Sequence, residues 1–194
     1  MAKMTMVVDL DKCVGCYACE IACKQENDVA LSSYWNMVHE MGPQGEFPNL
    51  KMYWLPRACQ QCMNPSCVEV CPTGASYVRE DGRVLVDAEA CIGCGSCVKG
   101  CPYGARSTDG RTNVAGKCNL CADLCDEGGL PACVKCCVNT ARIYGDMTDP
   151  ESDVSRALAE AGDESIYALP DTGNGPTVKY ILHAKTAAWE EVEL

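Results

Sequence analysis

An α+β fold of short strands, short helices and long loops is what this sequence predicts, and three observations lead there. Eighteen of the 194 residues are cysteines, and they fall into four tight groups. The chain holds one Phe and three Trp, so its apolar core must be thin for its length. Between the cysteine groups lie short apolar stretches bounded by Gly, Pro and Asp, which read as strands rather than long helices.

The elements follow the cysteine groups along the chain. Met4 to Leu10 alternates enough for a strand leading into the first group, and a helix over Tyr17–Asn27 follows it. Residues 28–49 form an insertion carrying Tyr34, Trp35, Met37 and Phe47, either a partner-binding patch or a cap on the local core. Leu50 to Leu55 reads as a strand and Pro65–Val70 as a short helix. Ser76–Val86 is a hairpin with an Asp-Gly turn, a dipeptide that accepts the positive φ such a turn needs. Short helices are expected over Asn119–Asp126 and Ala132–Val138, and a strand over Ala141–Tyr144. A longer helix runs from Pro150 to Ala161, with Asp149 as N-cap, Pro150 at N1 and Gly162 as its stop. Val154, Leu158 and Ala161 give it one apolar face. Residues 163–177 read as a surface loop and Val178–Leu182 as a late strand.

Cysteine spacing carries the chemistry. The groups are Cys13-x2-Cys16-x2-Cys19-x3-Cys23, Cys59-x2-Cys62-x4-Cys67-x3-Cys71, Cys91-x2-Cys94-x2-Cys97-x3-Cys101 and Cys118-x2-Cys121-x11-Cys133-x3-Cys137. The first and third have the spacing of bacterial ferredoxins, which suggests an internal duplication. Three thiolates within seven residues can wrap one corner of an iron–sulfur cubane if the loop turns tightly, and Gly15, Gly93 and Gly95 suit such turns. The fourth cysteine sits on the next helical turn and points toward a second cluster. Disulfides between neighbours this dense are sterically poor. Zinc takes paired knuckles with a longer gap, a reading open only to the second and fourth groups alone. Sixteen cysteines therefore predict four 4Fe–4S clusters, with Cys125 and Cys136 left over.

The net charge of −11 disfavours nucleic acid as a partner, because an acidic surface repels phosphate. No apolar run approaches the length of a membrane span, and the N-terminal residues resemble no export signal. No phosphate-cradling glycine loop or dinucleotide fingerprint appears. The two histidines, His39 and His183, read as surface or packing residues. The sequence presents no catalytic residues. Cations near a cluster raise its potential, and Arg57, Lys99, Arg106 and Lys117 lie next to ligands in sequence. They are either such groups or solvated surface charges.

Four groups in this order resemble the four-cluster iron–sulfur subunits of the dimethyl sulfoxide reductase superfamily. The resemblance rests on Lys12–Cys19, Cys67–Ala75, Cys101–Arg106, Lys117–Cys121 and Pro131–Lys135, with Gly145-Asp146 and Gly175-Pro176 later. It covers nearly the whole chain and is weakest over 28–49 and 163–194. It implies two interleaved bacterial-ferredoxin-like 2x(4Fe–4S) units. One takes residues 1–27 with 112–148, the other 50–111, and 149–194 is a C-terminal helix and tail. It also implies crossed wiring. Cys13, Cys16 and Cys19 join Cys137; Cys118, Cys121 and Cys133 join Cys23. Cys59, Cys62 and Cys67 join Cys101; Cys91, Cys94 and Cys97 join Cys71. Lys24 and Val138 stand where the family has prolines, and Cys136 competes with Cys137 as a ligand.

By the same resemblance, the chain is an electron-transfer subunit of an anaerobic oxidoreductase. It relays single electrons to or from a large catalytic subunit holding a molybdenum (or tungsten) bis-pterin cofactor. A separate membrane anchor or other electron donor is a further implied partner. The complex is cytoplasmic, or periplasmic by co-export with the catalytic subunit. The alternatives are a subunit of a redox complex without molybdenum and a free polyferredoxin.

Overall fold

The computed structural model describes residues 2–190; Met1 and residues 191–194 of the expected tail lie outside the described residues. The architecture is α+β, with short strands and helices strung between cysteine loops.

One four-stranded sheet organises the chain, in the order β8-β1-β10-β9. Strand β1 (Met4–Asp9) pairs antiparallel with β8 (Arg142–Asp146) and parallel with β10 (Lys179–Ile181); β9 (Ile166–Tyr167) closes the edge. β1 is buried on both faces. Met6 and Val8 enter the main core with Leu10, Tyr53, Leu55, Leu120, Tyr180 and Leu182. Val7 points the other way, onto Val154 and Ile181. Two-sided burial is why apolar residues run consecutively through β1 instead of strictly alternating.

The helix that covers Val7 is α6 (Asp153–Ala161). Val154 is fully buried there, with Leu158 and Ala161 against the same cluster, and Gly162 ends the helix at φ 78°. The expected cap is corrected. Ser152, not Asp149, is the N-cap, its hydroxyl accepting the Ser155 N–H at 3.1 Å. Asp149 instead builds a preceding turn, its carboxylate accepting the Glu151 N–H and its carbonyl the Ser152 N–H. Pro150 therefore sits in a turn rather than at N1.

The insertion 28–49 contains an element that its sequence hides. Strand β2 (Asn36–Gln44) pairs antiparallel with β3 (Lys51–Ala58) along its length. This hairpin is held by the C-terminal segment. Gln44 bonds both ways with Ala188, and Trp189 stacks on Tyr167 at 4.9 Å and lies against Tyr53 and Tyr180.

The remaining elements are short. Helix α1 spans Ala18–Glu26, α2 Ser66–Glu69, α3 Ser96–Lys99, α4 Ala122–Asp126 and α5 Ala132–Lys135. Helices α1, α2 and α4 start later than the sequence suggests, because Tyr17, Pro65 and Cys121 before them take left-handed or extended backbone; α5 ends early, at Lys135, and α3 adds to the expected elements. The Asp81-Gly82 turn joins β4 (Ser76–Val78) to β5 (Val84–Val86). A small ladder of β6 (Ser107–Thr108) and β7 (Ala115–Gly116) adds to the expected elements. Among the described residues, no helix is long and apolar enough to cross a membrane.

Replacing Ser152 by Ala removes the side-chain cap of α6. The expected loss is about 1 kcal/mol, or roughly 2–4 °C in the thermal midpoint of a chain this size. Differential scanning calorimetry checks it, and an unchanged midpoint contradicts the cap.

Candidate metal centres

The cysteine loops fold around cavities because their backbones adopt left-handed conformations at set points. Gly15, Gly93 and Gly95 do so in the first and third groups. The second and fourth groups do it without glycine, at Gln61 (φ 47°), Leu120 (φ 57°) and Cys121 (φ 48°). Such residues are strained by about 1–3 kcal/mol each, so their surroundings must hold them. Gln61 is fully buried, its amide donating to the Cys118 carbonyl and accepting the Val84 N–H.

Three apolar-walled cavities each gather four cysteines. One is lined by Cys13, Cys16, Cys19 and Cys137. A second is lined by Cys23, Cys118, Cys121 and Cys133. A third is lined by Cys71, Cys91, Cys94 and Cys97. The remaining four lie together in another way. Burial pushes the Cys62 thiol up to about 12, and the charges that add to this are those of Cys59, Cys67 and Cys101. Among the described residues, no three His, Cys, Asp or Glu converge on a single metal ion. The thiols surround volumes.

The donor set suits cubane clusters. Burial also raises Cys118 to about 12 and raises Cys23 and Cys133, with mutual repulsion from other cysteines adding to it. Buried thiols that resist ionisation become thiolates where positive charge sits among them, and ferric and ferrous iron supply it. The sulfurs also receive hydrogen bonds, which favour thiolate. The N–H of Ser76 reaches Cys71 Sγ at 3.4 Å and holds that thiol down, to about 7. The N–H groups of Ala115 and Ala141 reach Cys91 at 3.5 Å and Cys137 at 3.2 Å. Asn27 donates toward Cys23 and Cys121.

The cations named from sequence divide. Arg106 and Lys117 are buried, and Arg106 Nη2 lies 3.0 Å from Cys67 Sγ. Arg57 is half-buried and donates to the Tyr103 carbonyl, while Lys99 is exposed. Sequence reasoning misses Arg142. It is buried, donates to Cys133 Sγ at 3.4 Å and Met6 Sδ at 3.1 Å, and bonds Asn36 across from β2. The available signal is its place five residues after Cys137, the same interval that separates Arg106 from Cys101. Neither extra cysteine lines the three cavities: Cys136 turns its thiol to the Cys133 carbonyl and Cys125 to the Leu120 carbonyl. The expected aromatic patch is split. Trp35 packs inward over Gly116, whereas Tyr34, Met37 and Phe47 stay exposed.

Two sequence families match this arrangement, both described as 4Fe–4S dicluster domains, over residues 5–72 and 50–147. The B subunit of the tetrathionate reductase of Salmonella typhimurium is 38% identical over 98% of this chain and 81% of its own length. The chain belongs to this family of four-cluster iron–sulfur subunits. The B subunit of the sulfite dehydrogenase of Allochromatium vinosum is 39% identical over 96% of the chain and 85% of the relative. The B component of the polysulfide reductase of Wolinella succinogenes is 44% identical over 81% and 83%. Two dicluster domains amount to four 4Fe–4S clusters in the family member described here.

Gly93 makes the cavity walls testable. A Cβ there would lie 2.2 Å from the Asn113 carbonyl oxygen, while one at Gly74 meets nothing within 4 Å although φ is equally positive. Gly93→Ala is expected to lose one cluster, about four irons of sixteen, and Gly74→Ala to keep all four. Iron analysis after anaerobic purification decides; equal iron in both variants contradicts the packing argument.

Proposed function

We propose that the sixteen cysteines are wired across the sequence into four clusters in two interleaved ferredoxin-like units, and that the chain relays single electrons to or from a molybdenum or tungsten bis-pterin catalytic subunit. One observation supports the wiring above the others. Each of the three four-cysteine cavities takes three thiols from one group and the fourth from a distant one. Residues 1–27 with 112–148 would then form one unit and residues 50–111 the other. Cys137, which lines its cavity, is the ligand in preference to Cys136.

The two outer cavities support a direction for the relay. Cys16 and Cys94 are the exposed thiols of the set, and they line different cavities, one in each proposed unit. Val14 and Val138, both exposed, line the cavity with Cys16. An apolar rim beside a cluster suits a permanent protein contact, and this end faces the catalytic subunit. Ile92 marks the other end, open to a donor or acceptor. The relatives are named as the B components of two reductases and a dehydrogenase, which fits a chain that moves electrons while another subunit reads the substrate.

Anaerobic purification of the native protein with metal analysis tests this. The expected result is about sixteen irons in this chain, with a large chain and one molybdenum or tungsten retained in high salt. Sixteen irons in a freely exchanging monomer without either metal would instead indicate a polyferredoxin. Stoichiometric zinc with almost no iron would contradict the cluster reading itself.

A further inference from the structure

Four buried cations remain that the relay alone does not account for: Lys3, whose Nζ donates to the Cys62 and Gly82 carbonyls, and three more. Burying a charge costs several kcal/mol unless opposite charge meets it. Among the described residues, Arg142, Lys117 and Arg106 pair with no carboxylate. All three lie against cysteines.

Arg142 lines two cavities at once, the one with Cys13, Cys16, Cys19 and Cys137 and the one with Cys23, Cys118, Cys121 and Cys133. It donates to Cys133 Sγ in the second, while the N–H of its neighbour Ala141 donates to Cys137 Sγ in the first. Arg106 makes a comparable link in the other half, through Ser76. It donates to Cys67 Sγ at 3.0 Å and to the Ser76 hydroxyl at 2.8 Å. Ser76 lines the cavity of Cys71, Cys91, Cys94 and Cys97, and its N–H reaches Cys71 Sγ. The two guanidinium groups meet equivalent cysteines, the third of the second and fourth groups, yet they arrive from different sides. Arg142 follows the fourth group, Arg106 the third. The same place is filled by two routes, which argues that a cation is needed there.

Lys117 lies where the halves meet. Its Nζ donates to the carbonyls of Cys118 and Val84, and its charge bears on Cys118 from one half and Cys67 from the other. Cys59 and Cys118 bear on each other across this junction.

We infer that each gap between successive clusters holds a buried cation, Arg142, Lys117 and Arg106 in relay order, and that each of these raises the reduction potentials of the two clusters it separates. The inference rests on the four-cluster relay proposed above. Each reduction adds one negative charge to a site of low dielectric. A fixed cation between two sites stabilises the electron on either of them and weakens the repulsion between electrons on both.

Potentiometric titration of the intact complex, followed by electron paramagnetic resonance, reads the four potentials. Arg142→Gln is expected to lower two of them by at least tenfold in the reduction equilibrium, 59 mV for one electron, and to leave the other two in place. Arg106→Gln is expected to lower the complementary pair. Arg142→Lys keeps the charge and holds the potentials near their original values. Asn36→Asp, nearly isosteric, retains the bond to Arg142 but sets a carboxylate against it. It is expected to lower the same pair as Arg142→Gln, and it decides the matter if the Gln variant loses iron. Unmoved potentials in Asn36→Asp and the loaded Gln variants overturn the inference, as does a uniform fall in all four or an equal fall in Arg142→Lys. Iron in the same samples separates the two claims. A wild-type complex well short of about sixteen irons sinks the relay, whereas full iron with unmoved potentials sinks only the role of the cations.

Discussion

A thiolate can be buried only where positive charge meets it, and this constraint governs the molecule. Burial, with charge from neighbouring cysteines, raises the thiols of Cys23, Cys62, Cys118 and Cys133 above the ordinary value. Without iron these thiols would stay protonated within a thin apolar core. With iron they become the core. Cys62 and Cys133 already sit in the main apolar cluster beside Leu55, Leu120 and Tyr180. The clusters thus supplement a core poor in Phe and Trp, as metal sites do in other chains too small or too polar to fold on apolar burial alone.

The rest of the architecture serves that arrangement. Cavities enclosed by two distant segments require those segments to be brought together, and the sheet β8-β1-β10-β9 does this by pairing the strand before the first group with the strand after the fourth. Helix α6 and the C-terminal aromatic contacts then lock the sheet and the β2–β3 hairpin. Arg142 joins all of it: it begins β8, bonds Asn36 at the start of β2, and touches the Cys133 sulfur. The excess acidic charge stays outside. Asp81 and Asp126, for example, form a partly exposed network with Arg79 and Arg83.

Much of this can be read from the chain, because cysteine spacing is a local signal with one geometric meaning. The hairpin at Asp81-Gly82 and the stop at Gly162 are readable for the same reason: one residue's backbone freedom decides each. Strand β2 is not readable. Its His39, Glu40, Gly42 and Pro43 break the apolar pattern, and only pairing with β3 makes it a strand. Asp149-Pro150 imitates a helix start, and the competing Ser152 wins because its hydroxyl reaches the Ser155 N–H. The left-handed turns at Gln61 and Cys121 carry no glycine to announce them. Arg142 lies in no basic stretch, so only the fold shows that it stands between two cavities.

The crossed wiring is the claim on which the account turns, and iron anomalous diffraction from anaerobic crystals of the complex tests it most directly. The account predicts four iron centres in this chain, each bound by three cysteines of one group and a fourth from another, with Cys137 rather than Cys136 beside Cys13, Cys16 and Cys19. Four centres each bound within a single cysteine group would contradict it.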